Sequence, residues 1–223
     1  MEPNTFDCRL QCVVTLLAAL SLVPLQNRAN DLLLDVRSHY GGLKRFEATI
    51  THHNSSGLFR GDYEQHLVWN GKHTFELTVT KKSDFKPVAE RPGSLAPDYR
   101  AKGGTLTTLR PNGTEDTSPL VDEPHTMPGW EVSGGPALTF LENTHNADFY
   151  FKPPSGFEVS LSMGAKKLWQ TRAVREIVLD IKFEGREWKL STFVDAKRPL
   201  FVGFAYDGGW MLYDNGRTVP AGP

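Results

Sequence analysis

The chain has 223 residues, with 25 basic and 26 acidic side chains and a formal charge of −1. That balance, with no basic cluster carrying interleaved aromatics, excludes a dedicated nucleic-acid binder. Its length suits one domain, or one domain behind a leader. The two cysteines, Cys8 and Cys12, both precede Val13, so the body has no disulfide framework and no thiol nucleophile, and two cysteines alone do not complete a four-ligand zinc site.

Cys12 to Leu25 is a run of 14 uncharged residues, short of the roughly 20 that a spanning helix needs. It fits the apolar segment of a secretory signal peptide, with Pro24 ending the helical run. The expected boundary follows Ala29, giving a leader over 1–29 and one domain over 30–223. A buried N-terminal helix or an uncleaved anchor is the other reading of the same run.

Asn30-Asp31 suits a helix cap, because a short side-chain oxygen accepts from the free amides of a first turn. Leu32, Leu33, Val36 and Tyr40 then fall on one helical stripe, and Gly41-Gly42 stops it. Phe46 to His52 alternates as a first strand, followed by a turn over Asn54-Ser55-Ser56-Gly57. Tyr63 to Trp69 and His73 to Lys81 read as the next two strands, joined at Asn70-Gly71 by a tight hairpin. Phe75, Leu77 and Val79 form the inward face of the second of these. Ser83 to Lys102, with three prolines and no period, reads as a loop. Thr105 to Arg110 is a strand and Asn112-Gly113 a turn. Pro119 to Pro136 is Pro- and Gly-rich, and Ala137 to Asn143 suits one or two helical turns.

Asp148 to Lys152 and Phe157 to Met163 read as short strands. Beyond them lies a meander. Ile177, Leu179, Ile181 and Phe183 alternate with Val178, Asp180, Lys182 and Glu184, the period of a strand with one face buried and one wet. Glu184-Gly185-Arg186-Glu187 breaks the run like a hairpin turn, with Gly185 free to take positive φ. Trp188, Leu190, Thr192 and Val194 then alternate with Lys189, Ser191 and Phe193. Asp195 to Pro199 turns again, and strands follow over Leu200 to Tyr206 and Trp210 to Tyr213. The fold class is mainly β, a strongly curved antiparallel sheet whose concave side is filled by helix and loop.

Catalytic patterns are absent: no G-x-S-x-G, Walker loop, H-E-x-x-H or dinucleotide fingerprint. His52-His53 is the one adjacent histidine pair; on a strand the two rings point to opposite faces and do not share a metal easily. No two carboxylates are singled out as an acid/base pair. Asn54-Ser55-Ser56 and Asn112-Gly113-Thr114 match the glycosylation acceptor pattern, which matters only in a eukaryotic secretory route. The five tryptophans read as core before ligand platform. No catalytic residue, cofactor or metal is expected.

The layout resembles the LolA-like family of periplasmic lipoprotein carriers. The resemblance rests on the leader, the amphipathic helix ending near Tyr40-Gly41, the strand opening Phe46-Glu47-Ala48 and the Trp69-Asn70-Gly71 hairpin. Later in the chain it rests on Ile177-Val178-Leu179-Asp180-Ile181, Phe193-Val194-Asp195-Ala196 and Arg198-Pro199-Leu200. It implies an open half-barrel, an apolar cavity sheltering the acyl chains of a lipid or lipoprotein, no cofactor and no covalent catalysis. The family's lid-holding arginine is not assignable to one position. The expected protein is thus exported to the periplasm or cell envelope and monomeric. It binds acyl chains, with envelope membrane proteins as further partners and no nucleic acid. Phe75, Leu77, Val79, Ile177, Leu179, Ile181 and Phe183 are expected to share the concave, ligand-facing surface, because a one-residue slip would turn the polar set inward. A structural or interaction domain with a fully packed concavity is the rival reading, and an exported carboxylate hydrolase a third.

Overall fold

In the computed structural model of the protein, residues 28–55, 61–83, 97–110, 112–120, 129–143 and 145–220 are described. The proposed leader lies outside them except for Arg28 and Ala29. Both of these belong to helix α1 (residues 28–41), with Ala29 fully buried, so Asn30-Asp31 sits inside the helix. The stripe Leu32, Leu33, Val36 and Tyr40 is buried as its spacing predicts. Gly42 ends the helix, its N–H donating to the carbonyls of Ser38 and His39 at 3.1 Å each.

Among the described residues, eleven strands form one antiparallel sheet. The first meander runs β1 (Leu43–Asn54), β2 (Gly61–Trp69), β3 (Phe75–Ser83), β4 (Asp98–Lys102), β5 (Thr105–Leu109) and β6 (Glu115–Pro119). The chain crosses one face through α2 (Gly129–Glu142) and α3 (His145–Asp148). The second meander runs β7 (Glu158–Trp169), β8 (Arg172–Phe183), β9 (Arg186–Asp195), β10 (Phe201–Tyr206) and β11 (Gly209–Pro220). The order β6-β5-β4-β3-β2-β1-β11-β10-β9-β8-β7 leaves the sheet open. The first and last strands pair with each other, from Leu43↔Pro220 to Asn54↔Gly209. The exposed edge strand β6 carries Glu115, Asp116 and Pro119, which discourage pairing with another chain.

The sheet curves around one core. Inward residues of β1, β2, β3, β8, β9, β10 and β11 join α1 and α2 in a single buried cluster, with Leu33, Ile50, Leu67, Leu77 and Ile177 fully enclosed. Tyr40 anchors α1 there: its ring lies 5.6 Å from Phe46 and 5.5 Å from Phe201, and its hydroxyl accepts the Phe201 N–H at 3.2 Å. A small second cluster of Val174, Phe193 and Val202, flanked by Trp169, occupies the opposite face. The outward half of β9 is therefore not uniformly wet.

Several local expectations change. Asn70-Gly71 opens a five-residue loop between Trp69 and Phe75, closed by Asn70 N–H to Thr74 O and Thr74 N–H to Gly71 O at 2.9 Å each. The register places Trp69 opposite Phe75, which a two-residue turn would not allow. The end of the predicted loop 83–102 is strand β4, and Glu115–Pro119 is a strand that the polar sequence hid. Asp148 to Lys152 is not a strand: Asp148 closes α3, and its carbonyl accepts the Phe151 and Lys152 N–H groups in a tight turn. Strands β7 and β8 meet at Gln170-Thr171, where two non-glycine residues hold positive φ of 46° and 68°, giving no glycine signal to read. The turn expected over Glu184 to Glu187 is tighter: Glu184 and Gly185 alone make a two-residue hairpin, both at positive φ, and Arg186 and Glu187 already pair in β9.

Candidate functional site

A cavity of about 750 Å³ opens between the inward face of β8–β11 and the helical cover. Its floor is Leu179 and Ile181 of β8, Trp188 and Leu190 of β9, Phe204 and Tyr206 of β10, and Met211 of β11. Gly135, Pro136 and Thr139 of α2 and Phe149-Tyr150 after α3 form the roof. Glu187, Lys189 and Asp207 stand at the lining with Trp188, whose side chain is 42% exposed and marks the mouth.

The roof is shaped by a break in α2. Pro136 has no N–H and cannot continue the helical ladder, and Gly135 leaves helical geometry at φ 60°, ψ −161°. A side chain at Gly135 would run into the Tyr213 hydroxyl and the Met211 sulfur, so glycine is required for both conformation and space. The break frees two backbone groups, and the buried Tyr213 satisfies both. Its hydroxyl donates to Gly134 O at 2.8 Å and accepts the Ala137 N–H at 3.2 Å. Burial holds the Tyr213 hydroxyl well above its ordinary pKa, so the donor proton stays in place. Thr139 Oγ1 donates to Gly135 O at 3.1 Å.

The far end of α2 is fixed by a buried carboxylate. Glu142 accepts Trp69 Nε1–H at 2.6 Å and the His73 backbone N–H at 3.0 Å. The His73 ring nitrogen Nδ1 lies 3.2 Å from it, within ion-pair range but off hydrogen-bond direction. Burial raises the Glu142 pKa, opposed by the bonds from His73 and Trp69 and by the charges of His73 and Lys72. This contact explains why His73 adopts a positive φ of 61° in the β2–β3 loop. Arg37 ties α1 to the same cover, donating to Asp148 and Asn143 at 2.8 Å each and lying 5.6 Å from the Phe151 ring centre.

Of the seven residues expected on the ligand-facing surface, Leu179 and Ile181 line the cavity. Phe75, Leu77 and Ile177 are buried in the same core cluster but packed by protein. Val79, at the middle of β3, is half-buried. Phe183 is half-buried and stacks on Phe157 with centres 4.2 Å apart, and Phe157 in turn meets cavity-lining Phe149 at 5.5 Å. Sequence reasoning missed Phe204, Tyr206 and Met211, although their alternation was present in the predicted last strands. It also missed the roof, whose Phe149 and Tyr150 lay in a predicted strand.

Among the described residues, no group of three or more His, Cys, Asp or Glu side chains is placed to hold a metal ion. His52 and His53 do face opposite sides: His52 is buried and stacked on Tyr63, while His53 is half-exposed, with Nδ1 2.5 Å from Asp62. Of the two acceptor asparagines, Asn54 is buried and accepts the Tyr206 hydroxyl. Asn112 is exposed and accepts the Thr114 N–H at 2.9 Å. No helix of the described residues is long and apolar enough to cross a membrane.

Solved structures similar to this chain include LprF from Mycobacterium bovis, with a TM-score of 0.45 and 12% identity over 86% of this chain and 94% of that one. Lipoprotein LppX from Mycobacterium tuberculosis has a TM-score of 0.41 and 11% identity over 82% and 92%. A LolA superfamily protein from Nitrosomonas europaea has a TM-score of 0.37 and 9% identity over 86% and 94%. No family model and no curated protein matches the chain.

Proposed function

We propose that this protein is an exported, non-enzymatic carrier that shelters the acyl chain of a lipid or lipoprotein in the cavity beneath α2. The observation that carries this reading is the cavity itself. At about 750 Å³ it falls in the range of small-ligand sites, roughly 300–1,000 Å³. Leu179, Ile181, Leu190, Phe204, Met211 and Phe149 offer apolar surface to whatever fills it, and each Å² taken from water is worth about 25 cal/mol. The charged residues stand beside the exposed Trp188, where a polar head would meet solvent.

The rival, a packed interaction domain of the same fold, draws support from the rest of the core, where Phe75 and Leu77 of β3 and Ile177 of β8 are covered by protein. A fluorescent acyl probe separates the two. The wild-type protein should bind it with a change in tryptophan emission, Trp188 being nearest the mouth. Leu179→Arg, once circular dichroism shows an intact sheet, should abolish binding, since an unpaired charge would lie where the chain must rest. No binding by the wild type would leave the packed domain as the better reading. A folded Leu179→Arg variant that binds normally would remove Leu179 from the site.

A further inference from the structure

The cavity is closed at one end and wet at the other. On β8 and β9 the cross-strand pairs Ile181↔Trp188 and Leu179↔Leu190 line it, while the next pair on that face, Ile177↔Thr192, has no exposed surface. On β10 and β11 the pair Phe204↔Met211 lines it, and the next core residues, Phe201 and Tyr213, are buried. Here floor and roof meet. The Phe201 ring lies 5.1 Å from Phe140 of α2, and the Tyr213 hydroxyl is bonded to both sides of the α2 break. At the other end stands the exposed Trp188, among charges of both signs. Glu187 pairs with Lys182 at 2.6 Å, and Lys189 lies 3.9 Å from Asp180.

Volume decides how many chains such a space holds. A dry protein cavity of about 150 Å³ takes one benzene, or about 25 Å³ per carbon. At that tightness about 750 Å³ holds about 30 carbons. One chain of about 16–18 carbons needs about 400–450 Å³, two need about 800–900 Å³ and three about 1,200–1,350 Å³. One full-length chain fits, with the remaining space toward the polar mouth, and two do not. The rest of the core offers no second slot, because Phe75, Leu77 and Ile177 are packed by protein. Resting on the acyl-cavity reading above, we propose that the ligand is a single-chain amphiphile of the lysophospholipid class, held one per protein with its head at Trp188. A head carrying both signs is matched to a mouth that carries both. A cargo with two or three long chains would leave at least one of them in water, forfeiting its burial.

The test counts chains. Wild-type protein is incubated with excess palmitoyl-lysophosphatidylcholine, freed of unbound lipid and weighed by native mass spectrometry, with nile red as an independent reporter of the cavity. One lipid per protein is expected, and it should displace nile red. Decanoyl-lysophosphatidylcholine should displace it at least about a hundredfold more weakly, since each buried methylene strengthens binding by up to about fourfold. Leu190→Trp, which takes space from the floor, should weaken binding of the palmitoyl chain about tenfold and that of the decanoyl chain less. Leu190→Phe replaces it if circular dichroism shows the tryptophan variant unfolded. Failure of wild type to bind either nile red or the lysolipid would overturn the cavity reading and this inference with it. Nile red binding that the lysolipid does not displace, or two or more lysolipids per protein, would overturn the single-chain inference alone. A folded Leu190 variant that holds the palmitoyl chain as tightly as wild type would do the same.

Discussion

Tyr213→Phe isolates the device that shapes the cavity roof. The ring is 2% exposed, and phenylalanine fills the same space, so the substitution removes a hydroxyl without opening a sizeable void. What it leaves behind are two backbone groups, Gly134 O and Ala137 N–H, whose bonds of 2.8 and 3.2 Å end on that oxygen. The helical ladder is disturbed between them, because Gly135 has left helical geometry and Pro136 has no N–H. An unsatisfied buried polar group costs about 1–3 kcal/mol, so the pair would cost about 2–6 kcal/mol in a rigid structure and about 2–4 kcal/mol once the helix shifts to recover part of it. For a domain of this size that is a fall of roughly 5–15 °C in thermal midpoint. Urea unfolding followed by circular dichroism should show a lower transition midpoint with an unchanged slope. A Tyr213→Phe protein as stable as wild type would refute the claim that the hydroxyl holds the break together.

Two buried titratable groups predict opposite pH slopes. Burial lowers the His52 pKa to about 3, while the unfolded side chain protonates near 6.5. Its contribution is present above about pH 6.5 and is lost as pH falls toward 3, by up to roughly 1.4 kcal/mol per pH unit. His52→Phe, which can still stack on Tyr63, should flatten that acid limb in urea titrations; identical slopes in both proteins would count against it. Glu142 is raised by burial, so its contribution is full below its unfolded pKa of about 4.3 and is lost as pH rises through the folded value. Glu142→Gln should remove that decline and be no less stable than wild type at pH 7. A clear loss there would mean that the bonds to Trp69 and His73 outweigh the burial of the charge.

The sheet was legible where alternation was clean. The burial of Ile177, Leu179 and Ile181, and of Phe75 and Leu77, follows from period two alone. Strand β6 was hidden because EDTSP has no apolar face, and an exposed edge needs none. The roof was illegible for a different reason. Gly134-Gly135-Pro136 spells a helix breaker, yet α2 runs across it because Tyr213, more than seventy residues later, satisfies what the break exposes. The Phe149-Tyr150-Phe151 run has strand propensity, and the turn that overrides it is joined to α1 through Arg37. Local patterns report which face a strand buries. They do not report whether that face meets protein or empty space, which is why Leu179 and Ile181 line the cavity while Phe75, Leu77 and Ile177 are packed.

That division also sets a test that does not depend on guessing the ligand. On the β1–β3 side, the Tyr40–Phe46 contact and the Trp69–Glu142 bond bring α1 and α2 directly onto the sheet. Tyr213 of β11 and Phe201 of β10 also meet the cover, but over Leu179, Ile181, Leu190 and Phe204 it stands off and leaves the cavity. Leu190 lies on that floor, half-buried. If the space is open, Leu190→Trp should extend into it with little strain and bury more apolar area, raising stability by about 0.5–2 kcal/mol, as cavity-filling changes commonly do. The same indole would occupy volume that an acyl chain needs, so probe affinity should fall at least tenfold. If the region is tightly packed, the added ring must displace neighbours, and overpacking costs about 1–3 kcal/mol. Stability and binding moving in opposite directions would identify a site kept open at the expense of the fold. A destabilised Leu190→Trp protein would show that the floor has no room to give.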